Sequence, residues 1–218
     1  MGWPFSSGGA IGGVLCSLVL AGPSVSTNDS IRLRSFAGLN YHDPAIVLRG
    51  LRRAESDPRF STLPDDVRQL RKQSQKTWRE GRVGALFAYG MGQRVLGLDV
   101  QIALVEDEDY DFVTCWQQND EVFYCPVQEK ELPPSHLNDG ATLSETLALL
   151  ARSTPPSDTV ALVYLNRGLQ LDFSDVVIPA MGFRELWFIG AVSPDQDNWV
   201  LFGDALTSLR RFDFEYPA

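Results

Sequence analysis

The sequence has few of the residues on which disulfide, zinc and histidine chemistry depend. It contains three cysteines among 218 residues, and no two of them form a CxxC pair. An odd count without such a pair argues against a structural zinc site or a disulfide framework, and it predicts a reducing, cytoplasmic compartment. The two histidines, His42 and His136, lie far apart in the sequence. This spacing does not favour an HxxxH-type metalloenzyme or an HNH-type nuclease.

Several common nucleotide-binding and hydrolase motifs are also missing. Neither a GxxxxGK[ST] nor a GxSxG pattern occurs, which argues against a P-loop protein and against a serine hydrolase. Gly90-Met91-Gly92 lacks the third glycine and the preceding strand of a dinucleotide-binding turn. No apolar run is long enough to predict a membrane span.

The first 30 residues differ in composition from the rest of the chain. Ala10–Ala21 is apolar and rich in small residues, and Gly22-Pro23 follows it. That length is typical of the apolar part of a secretory signal, but no Lys or Arg precedes Arg32. We therefore expect a flexible or signal-like segment over residues 1–30. A flexible tail or an over-long start of the reading frame is favoured over an export signal.

Residues 31–218 are expected to form a single α/β domain. A chain that is 44% hydrophobic and 11% aromatic can bury a full core. The net charge of −9 is unevenly placed. Residues 31–94 carry 13 Lys and Arg against 6 Asp and Glu, whereas residues 95–218 carry 6 against 21. The basic part could face a nucleic acid and the acidic part a metal or a protein partner, or the two parts could compensate each other.

Hydrophobic periodicity predicts the order of helices and strands. Helices are expected at Ala45–Ala54, from Asp65 to about Gly97, and after a cap at Asn138 or Asp139. Strands are expected at Leu98–Val105, Tyr110–Trp116, Val122–Leu132, Thr159–Leu165, Glu185–Ile189 and Trp199–Phe202. The order of helix, three strands, helix and strand predicts a central mixed β-sheet flanked by helices, with additional elements at both ends.

The stretch from Tyr110 to Leu132, YDFVTCWQQNDEVFYCPVQEKEL, carries the functional hypothesis. It predicts two strands joined by a polar turn, with Asp111 at the start of the first strand and Gln128-Glu129-Lys130 at the end of the second. An acidic residue on one strand, followed on the next by an acidic or amide residue and a lysine two positions later, resembles the PD-(D/E)xK nuclease superfamily. The predicted order of elements is also that of its restriction-endonuclease-like αβββαβ core.

The resemblance implies metal-dependent hydrolysis of DNA. It assigns Mg²⁺ or Mn²⁺ to Asp111, Gln128 and Glu80, where Glu80 is the helical acid that often joins such sites. It assigns the role of the catalytic lysine to Lys130. The implied catalytic group consists of Lys130, Asp111, Glu80 and Gln128. Gln128 departs from the acidic pattern: its side-chain oxygen can bind Mg²⁺ but adds no negative charge, so metal affinity should be lower.

Phosphate contacts are expected from the basic face of the long helix before the first strand. Its side chains are Arg71, Lys72, Lys76, Arg79 and Arg82.

The register of the hairpin decides whether these residues can meet. A turn centred on Asp120 would place Cys115 opposite Cys125, and Asp111 on the face of Glu129 instead of that of Lys130. A bulge would restore the expected arrangement. Two other functions stay open: a nuclease-like fold without metal catalysis that acts as a binding or regulatory module, and an unrelated acidic α/β interaction protein.

Overall fold

One mixed β-sheet forms the centre of the protein. The structure is a computed structural model that describes residues 18–19, 27–64, 76–105, 107–168 and 172–218. Seven strands lie side by side in chain order: β2 (Val100–Leu104), β3 (Phe112–Gln118), β4 (Glu121–Leu132), β5 (Val160–Leu165), β6 (Glu185–Ala191), β7 (Asn198–Gly203) and β8 (Arg210–Glu215). A two-residue strand, β1 (Leu18–Val19), pairs with β4. The predicted α/β class with a mixed sheet is confirmed.

Strand direction divides the sheet into three parts. Strands β2, β3 and β4 form an antiparallel meander. Strands β5 and β6 then run parallel to β4, and β7 and β8 return antiparallel. The long strand β4 belongs to two of these parts, because it pairs with β3 up to Val127 and with β5 from Val127 to Leu132. Gln128 and Lys130 therefore lie just beyond the point where β3 ends beside β4.

Four α-helices accompany the sheet in the described part of the chain. They are α1 (Thr27–Ala37), α2 (Pro44–Glu55), α3 (Lys76–Gly90) and α4 (Leu143–Ala151), and α3 continues as a π-helical turn over Met91–Leu96. The helix predicted from Asp65 is described only from Lys76 onward. Additional elements were predicted at both ends of the core. Helix α1 and strand β8 are two of them, and hydrophobic periodicity did not predict their bounds.

The cap of α4 differs from the prediction. Thr142, instead of Asn138 or Asp139, accepts a hydrogen bond from the backbone N–H of Glu145, whose side chain in turn binds the Thr142 N–H. This reciprocal capping box satisfies the backbone donors of both Thr142 and Glu145, whereas a cap side chain alone accepts only from the first turn of the helix. The helix consequently begins at Leu143.

Helix α3 covers one face of the sheet, which we name the α3 face. Its residues Val83, Leu86 and Phe87 pack in one cluster with sheet residues that include Phe112 and Val127. Gly84 makes this approach close, because a Cβ atom there would overlap Ile102 Cδ1 and lie 3.1 Å from the Phe112 ring. The helix is therefore held against the meander along the turn that follows Glu80.

Helices α1 and α4 cover the opposite face, which we name the α1/α4 face. Leu33 and Phe36 of α1 pack on Val113 and Tyr124. Leu147 and Leu150 of α4 pack in a second cluster with residues of β5 and β6 that include Ala161 and Val163. This face of β4 also carries Gln128, which is paired with Ala161 of β5.

Candidate functional site

A two-residue turn sets the register of the hairpin. Asn119 and Asp120 both have positive φ, 50° and 63°, which is the conformation of a type I′ turn and matches the twist of the flanking strands. The turn pairs Cys115 with Tyr124, so the expectation of Cys115 opposite Cys125 is wrong by one residue. A turn centred between two residues, instead of on Asp120, is the physical reason.

Asp111 lies at a bulge where β3 leaves β4. Phe112 is paired with Val127, yet the backbone N–H of Asp111 also donates to the Val127 carbonyl at 2.9 Å. Asp111 and Phe112 thus both lie opposite the single residue Val127, which is the arrangement of a β-bulge. The Asp111 carboxylate then accepts a hydrogen bond of 2.7 Å from the backbone N–H of Glu129. It takes the place that a backbone carbonyl of β3 would hold if the pairing continued.

The side chains of the QEK run alternate between the two faces of the sheet. Val127 lies in the α3-face cluster, and Leu132 lies in the cluster under α4. Because successive strand residues point to opposite faces, Glu129 belongs to the α3 face, and Gln128 and Lys130 belong to the α1/α4 face. The structure therefore brings Gln128 and Lys130 onto one face, whereas the Asp111 carboxylate is bound at the backbone of Glu129 and its charge acts on the Glu129 carboxylate.

Glu80 is separated from this pair. It belongs to α3, on the other face of the sheet, where its charge acts on Glu129. Glu80 and Asp111 thus both act on Glu129, on the face opposite Gln128 and Lys130. The one-residue alternation of β4 gives the α3 face Glu129 in place of Gln128, and the catalytic role of Glu80 stays a prediction.

Glu129 forms a buried acidic group on the α3 face. The residue is 9% exposed, and its Oε2 atom has no hydrogen-bond partner in the described structure. Burial raises the pKa of Glu129 well above its usual value, and the carboxylates of Asp111, Glu131 and Glu80 add to the shift, whereas Arg79 opposes it. Sequence reasoning missed this environment. The sequence did contain a signal for it, because Glu129 lies two residues after the apolar Val127 and so shares its face of the strand.

Gln128 also holds a buried oxygen without a partner. Its Oε1 atom accepts no hydrogen bond from the described residues, although the atom is inaccessible to solvent. A buried carbonyl oxygen in this condition costs about 1–3 kcal/mol of stability. A cation or a donor from a ligand would remove that cost.

This end of the hairpin carries two oxygen donors of the kind that a hard divalent cation binds, the Asp111 carboxylate and Gln128 Oε1. Among the described residues no group of three or more His, Cys, Asp and Glu side chains could hold a metal ion. The amide oxygen of Gln128 belongs to none of those types. Mg²⁺ commonly keeps several waters and binds through one or two protein oxygens. The side-chain oxygens of Asp111 and Gln128 are of the type that such a sparsely bound Mg²⁺ takes.

The predicted DNA-binding residues have different environments. Arg71 and Lys72 lie outside the described residues, and Lys76 is described only as the first residue of α3. Arg82 binds Glu55 at 2.7 Å and the Gln196 side chain at 2.8 Å, so its guanidinium joins α3 to α2 and to the loop before β7. Arg79 acts on buried Glu129. Two of the five basic residues are therefore directed at groups within the protein.

Comparisons with protein-family models, with curated proteins and with solved structures give no match to this chain. None of the helices in the described ranges has the length and apolar character needed to cross a bilayer.

Proposed function

We propose that this chain is a divergent PD-(D/E)xK-like nuclease that hydrolyses phosphodiester bonds of DNA with Mg²⁺ or Mn²⁺. In this proposal Asp111 and Gln128 hold the metal ion, and Lys130 completes the site. Glu80 lies on the opposite face from Gln128 and Lys130, where its charge and that of Asp111 both act on Glu129.

The order and direction of the elements support the proposal. Helix α3, the antiparallel meander β2–β4, helix α4 and strand β5, which is parallel to β4, follow each other in the chain. This is the αβββαβ order of the nuclease core that the Asp111 and Gln128-Glu129-Lys130 pattern resembles. Fold order alone does not define an activity, so the proposal depends on the side chains at the end of the hairpin.

The single observation that carries the proposal is the buried, unpartnered Oε1 atom of Gln128, one residue before the Glu129 N–H that donates to the Asp111 carboxylate. The hydrogen bond from the Glu129 N–H fixes one oxygen of that carboxylate and orients the other. A bound Mg²⁺ would supply an activated water and positive charge for the developing phosphorane. Two donors with only one negative charge should bind the ion weakly.

Lys130 is suited to stabilise charge at the same place. It lies two residues after Gln128 on the same face of β4 and is half-buried between the sheet and solvent. An ammonium group there can hold a phosphate oxygen or orient the attacking water through a hydrogen bond. Removing such a positioned group typically costs about 10²-fold or more in rate.

The direct test is cleavage of plasmid and single-stranded DNA by the purified protein, with Mg²⁺, with Mn²⁺ and with EDTA. We expect weak, metal-dependent cleavage that falls about 10²-fold or more in Asp111→Ala and in Lys130→Ala. Cleavage that survives both substitutions would come from a contaminant and would overturn the proposal. Glu121→Gln is the matched control, because it removes a carboxylate from the exposed start of β4, and it should cleave DNA at the wild-type rate.

A second candidate function is a nuclease-like binding module without catalysis. The observation that favours it is the absence, within the described residues, of any group of three acidic, histidine or cysteine side chains able to hold a metal. DNA binding that weakens with salt, together with no cleavage in either metal, would select this candidate.

A further inference from the structure

Strand β8 forms one edge of the sheet, and its outer side is open in the described part of the chain. It is last in the strand order and, among the described strands, pairs only with β7. The opposite edge differs, because Ile102 of β2 exchanges two backbone hydrogen bonds with His42. An open edge presents N–H and C=O groups that can pair with another strand.

The phase of the β7–β8 ladder shows which residues of β8 point outward. The Tyr216 N–H donates at 2.7 Å to the carbonyl of the residue just before β7. In this phase Phe212 and Phe214 exchange their backbone hydrogen bonds with β7. The N–H and C=O groups of Arg211 and Asp213 consequently point away from β7, and they make no hydrogen bond within the described structure.

These two outward positions carry charges of opposite sign. Arg211 and Asp213 share one face of β8, with Arg211 Nη2 2.7 Å from Asp213 Oδ1, and their side chains are 56% and 58% exposed. A row of like charges along an edge opposes its pairing with a second copy. One positive and one negative charge at the two outward positions do not have this effect, because each can face the other across a pair of strands.

Phe212 lies between these two residues and points to the α3 face, where it packs against the core of that face. It is half-buried, and its ring centroid lies 6.0 Å from that of Trp187. The exposed part of this aromatic side chain therefore lies at the open edge of the sheet.

A second copy of β8 matches this pattern in one antiparallel register. Directly opposed residues share a face of the sheet, so a two-fold axis through the pair places one residue opposite its own copy. With Phe212 on the axis, Arg211 of each copy lies opposite Asp213 of the other, and the outward backbone groups of these residues can exchange hydrogen bonds. An axis at Arg211 or at Asp213 would place like charges opposite each other. The two Phe212 rings would form an aromatic cross-strand pair, which stabilises antiparallel strands.

We propose that this chain forms a symmetric dimer in which the β8 strands of two copies pair antiparallel about a two-fold axis at Phe212. The two sheets then become one continuous sheet, with the ion pairs between Arg211 and Asp213 on one face and the Phe212 pair on the other. This inference is independent of the proposed nuclease function, because three strands separate β8 from β4.

The experiment is sedimentation equilibrium of the full chain from micromolar to submillimolar concentration. We expect the wild type to reach about twice the 24.2 kDa mass of one chain and to dissociate on dilution or at high salt. Arg211→Asp and Asp213→Arg each place like charges opposite each other, so each should stay a monomer. The double variant Arg211→Asp/Asp213→Arg restores opposite charges in the same register and should dimerise again.

Arg59→Asp is the matched control, because it breaks an exposed ion pair of the same two-residue spacing, with Asp57, outside the sheet. Its mass should follow that of the wild type, and thermal unfolding shows that each variant is folded. A wild type that is a monomer throughout the concentration range would overturn the inference, as would a dimer that persists in both single variants. A double variant that stays monomeric would overturn the register about Phe212.

Amide hydrogen exchange locates the interface. The N–H groups of Arg211 and Asp213 should exchange more slowly in concentrated than in dilute wild-type protein, because only the dimer bonds them. Those of Phe212 and Phe214 should be protected at both concentrations, since β7 bonds them in either state. Equal exchange of Arg211 and Asp213 at both concentrations would place the contact elsewhere and overturn the inference.

Discussion

The Asp111 carboxylate accepts a 2.7 Å hydrogen bond from the backbone N–H of Glu129, across the point where β3 and β4 separate. A side chain therefore ends the ladder in place of a backbone carbonyl. The contact fixes the direction of the carboxylate, and it also holds the backbone of β4 between Gln128 and Lys130. One residue thus has a structural role and a proposed catalytic role, and substitutions can separate the two.

Asp111→Asn and Asp111→Ala should differ in stability but agree in activity. The amide oxygen of Asn can still accept from Glu129, so its loss of stability should be small. Alanine leaves a buried N–H without a partner, which costs about 1–3 kcal/mol. Urea unfolding should show this order, whereas DNA cleavage should fall about 10²-fold or more in both variants. Wild-type cleavage by Asp111→Asn would remove Asp111 from the metal site.

Much of the fold was accessible from the sequence because its strands are unusually apolar. All six residues of β5 are buried, and its continuous apolar run predicted a strand covered on both faces. Helix α1 was not predicted, because the composition of the first 30 residues indicates a flexible or signal-like segment, although Leu33 and Phe36 are buried. Their packing on Val113 and Tyr124 is a tertiary contact that local periodicity does not contain.

The candidate site was predicted only in part, and the hairpin explains why. A slip of one residue in the turn exchanges the faces of a whole strand. The sequence contains Asn119-Asp120, but it does not show that both residues adopt positive φ or that Asp111 forms a bulge. Strand alternation alone predicts that Gln128 and Lys130 share a face of the sheet. The position of Glu80 depends on which face of the sheet helix α3 covers, and the sequence does not show this.

Replacing glycine by alanine should have opposite effects on stability in α3, which lies close against the sheet at Gly84, and in α2, where Gly50 is exposed. Gly84→Ala should destabilise the protein by about 1–3 kcal/mol, because the new methyl group overlaps Ile102 and presses on the Phe112 ring. Gly50 of α2 is exposed, and a Cβ atom added there would meet no other atom within 4 Å, so Gly50→Ala should stabilise by about 0.5–1 kcal/mol. Thermal unfolding of both variants tests the packing, and equal changes in melting temperature would contradict it.

Buried Glu129 predicts that stability falls as the pH rises. Its pKa is raised in the folded state from the usual 4.5, so the folded protein binds this proton more tightly than the unfolded chain. The contribution to stability is full below pH 4.5 and is lost as the pH rises through the folded pKa. Each tenfold difference in proton affinity between the two states corresponds to about 1.4 kcal/mol. Glu129→Gln should therefore gain stability relative to the wild type as the pH increases.

The measurement is urea unfolding of both proteins between acidic and alkaline pH. Glu121→Gln provides the control, since Glu121 lies at the exposed start of the same strand. We expect the difference between Glu129→Gln and wild type to grow with pH, and that between Glu121→Gln and wild type to stay nearly constant. Parallel curves for all three proteins would show that Glu129 is not held in its neutral form.

Gln128→Glu should convert a weak metal site into a stronger one. The new carboxylate would be buried one residue from the Glu129 N–H that the Asp111 carboxylate binds, and two like charges in one site repel each other unless a cation lies between them. The melting temperature in EDTA should therefore be lower than that of the wild type. Addition of Mg²⁺ should raise it by more than in the wild type, because ligand binding to the folded state adds stability, and DNA cleavage should increase. Gln118→Glu adds the same charge to the exposed end of β3 and controls for net charge. If Mg²⁺ changes the melting temperature equally in all three proteins, Gln128 does not bind the metal.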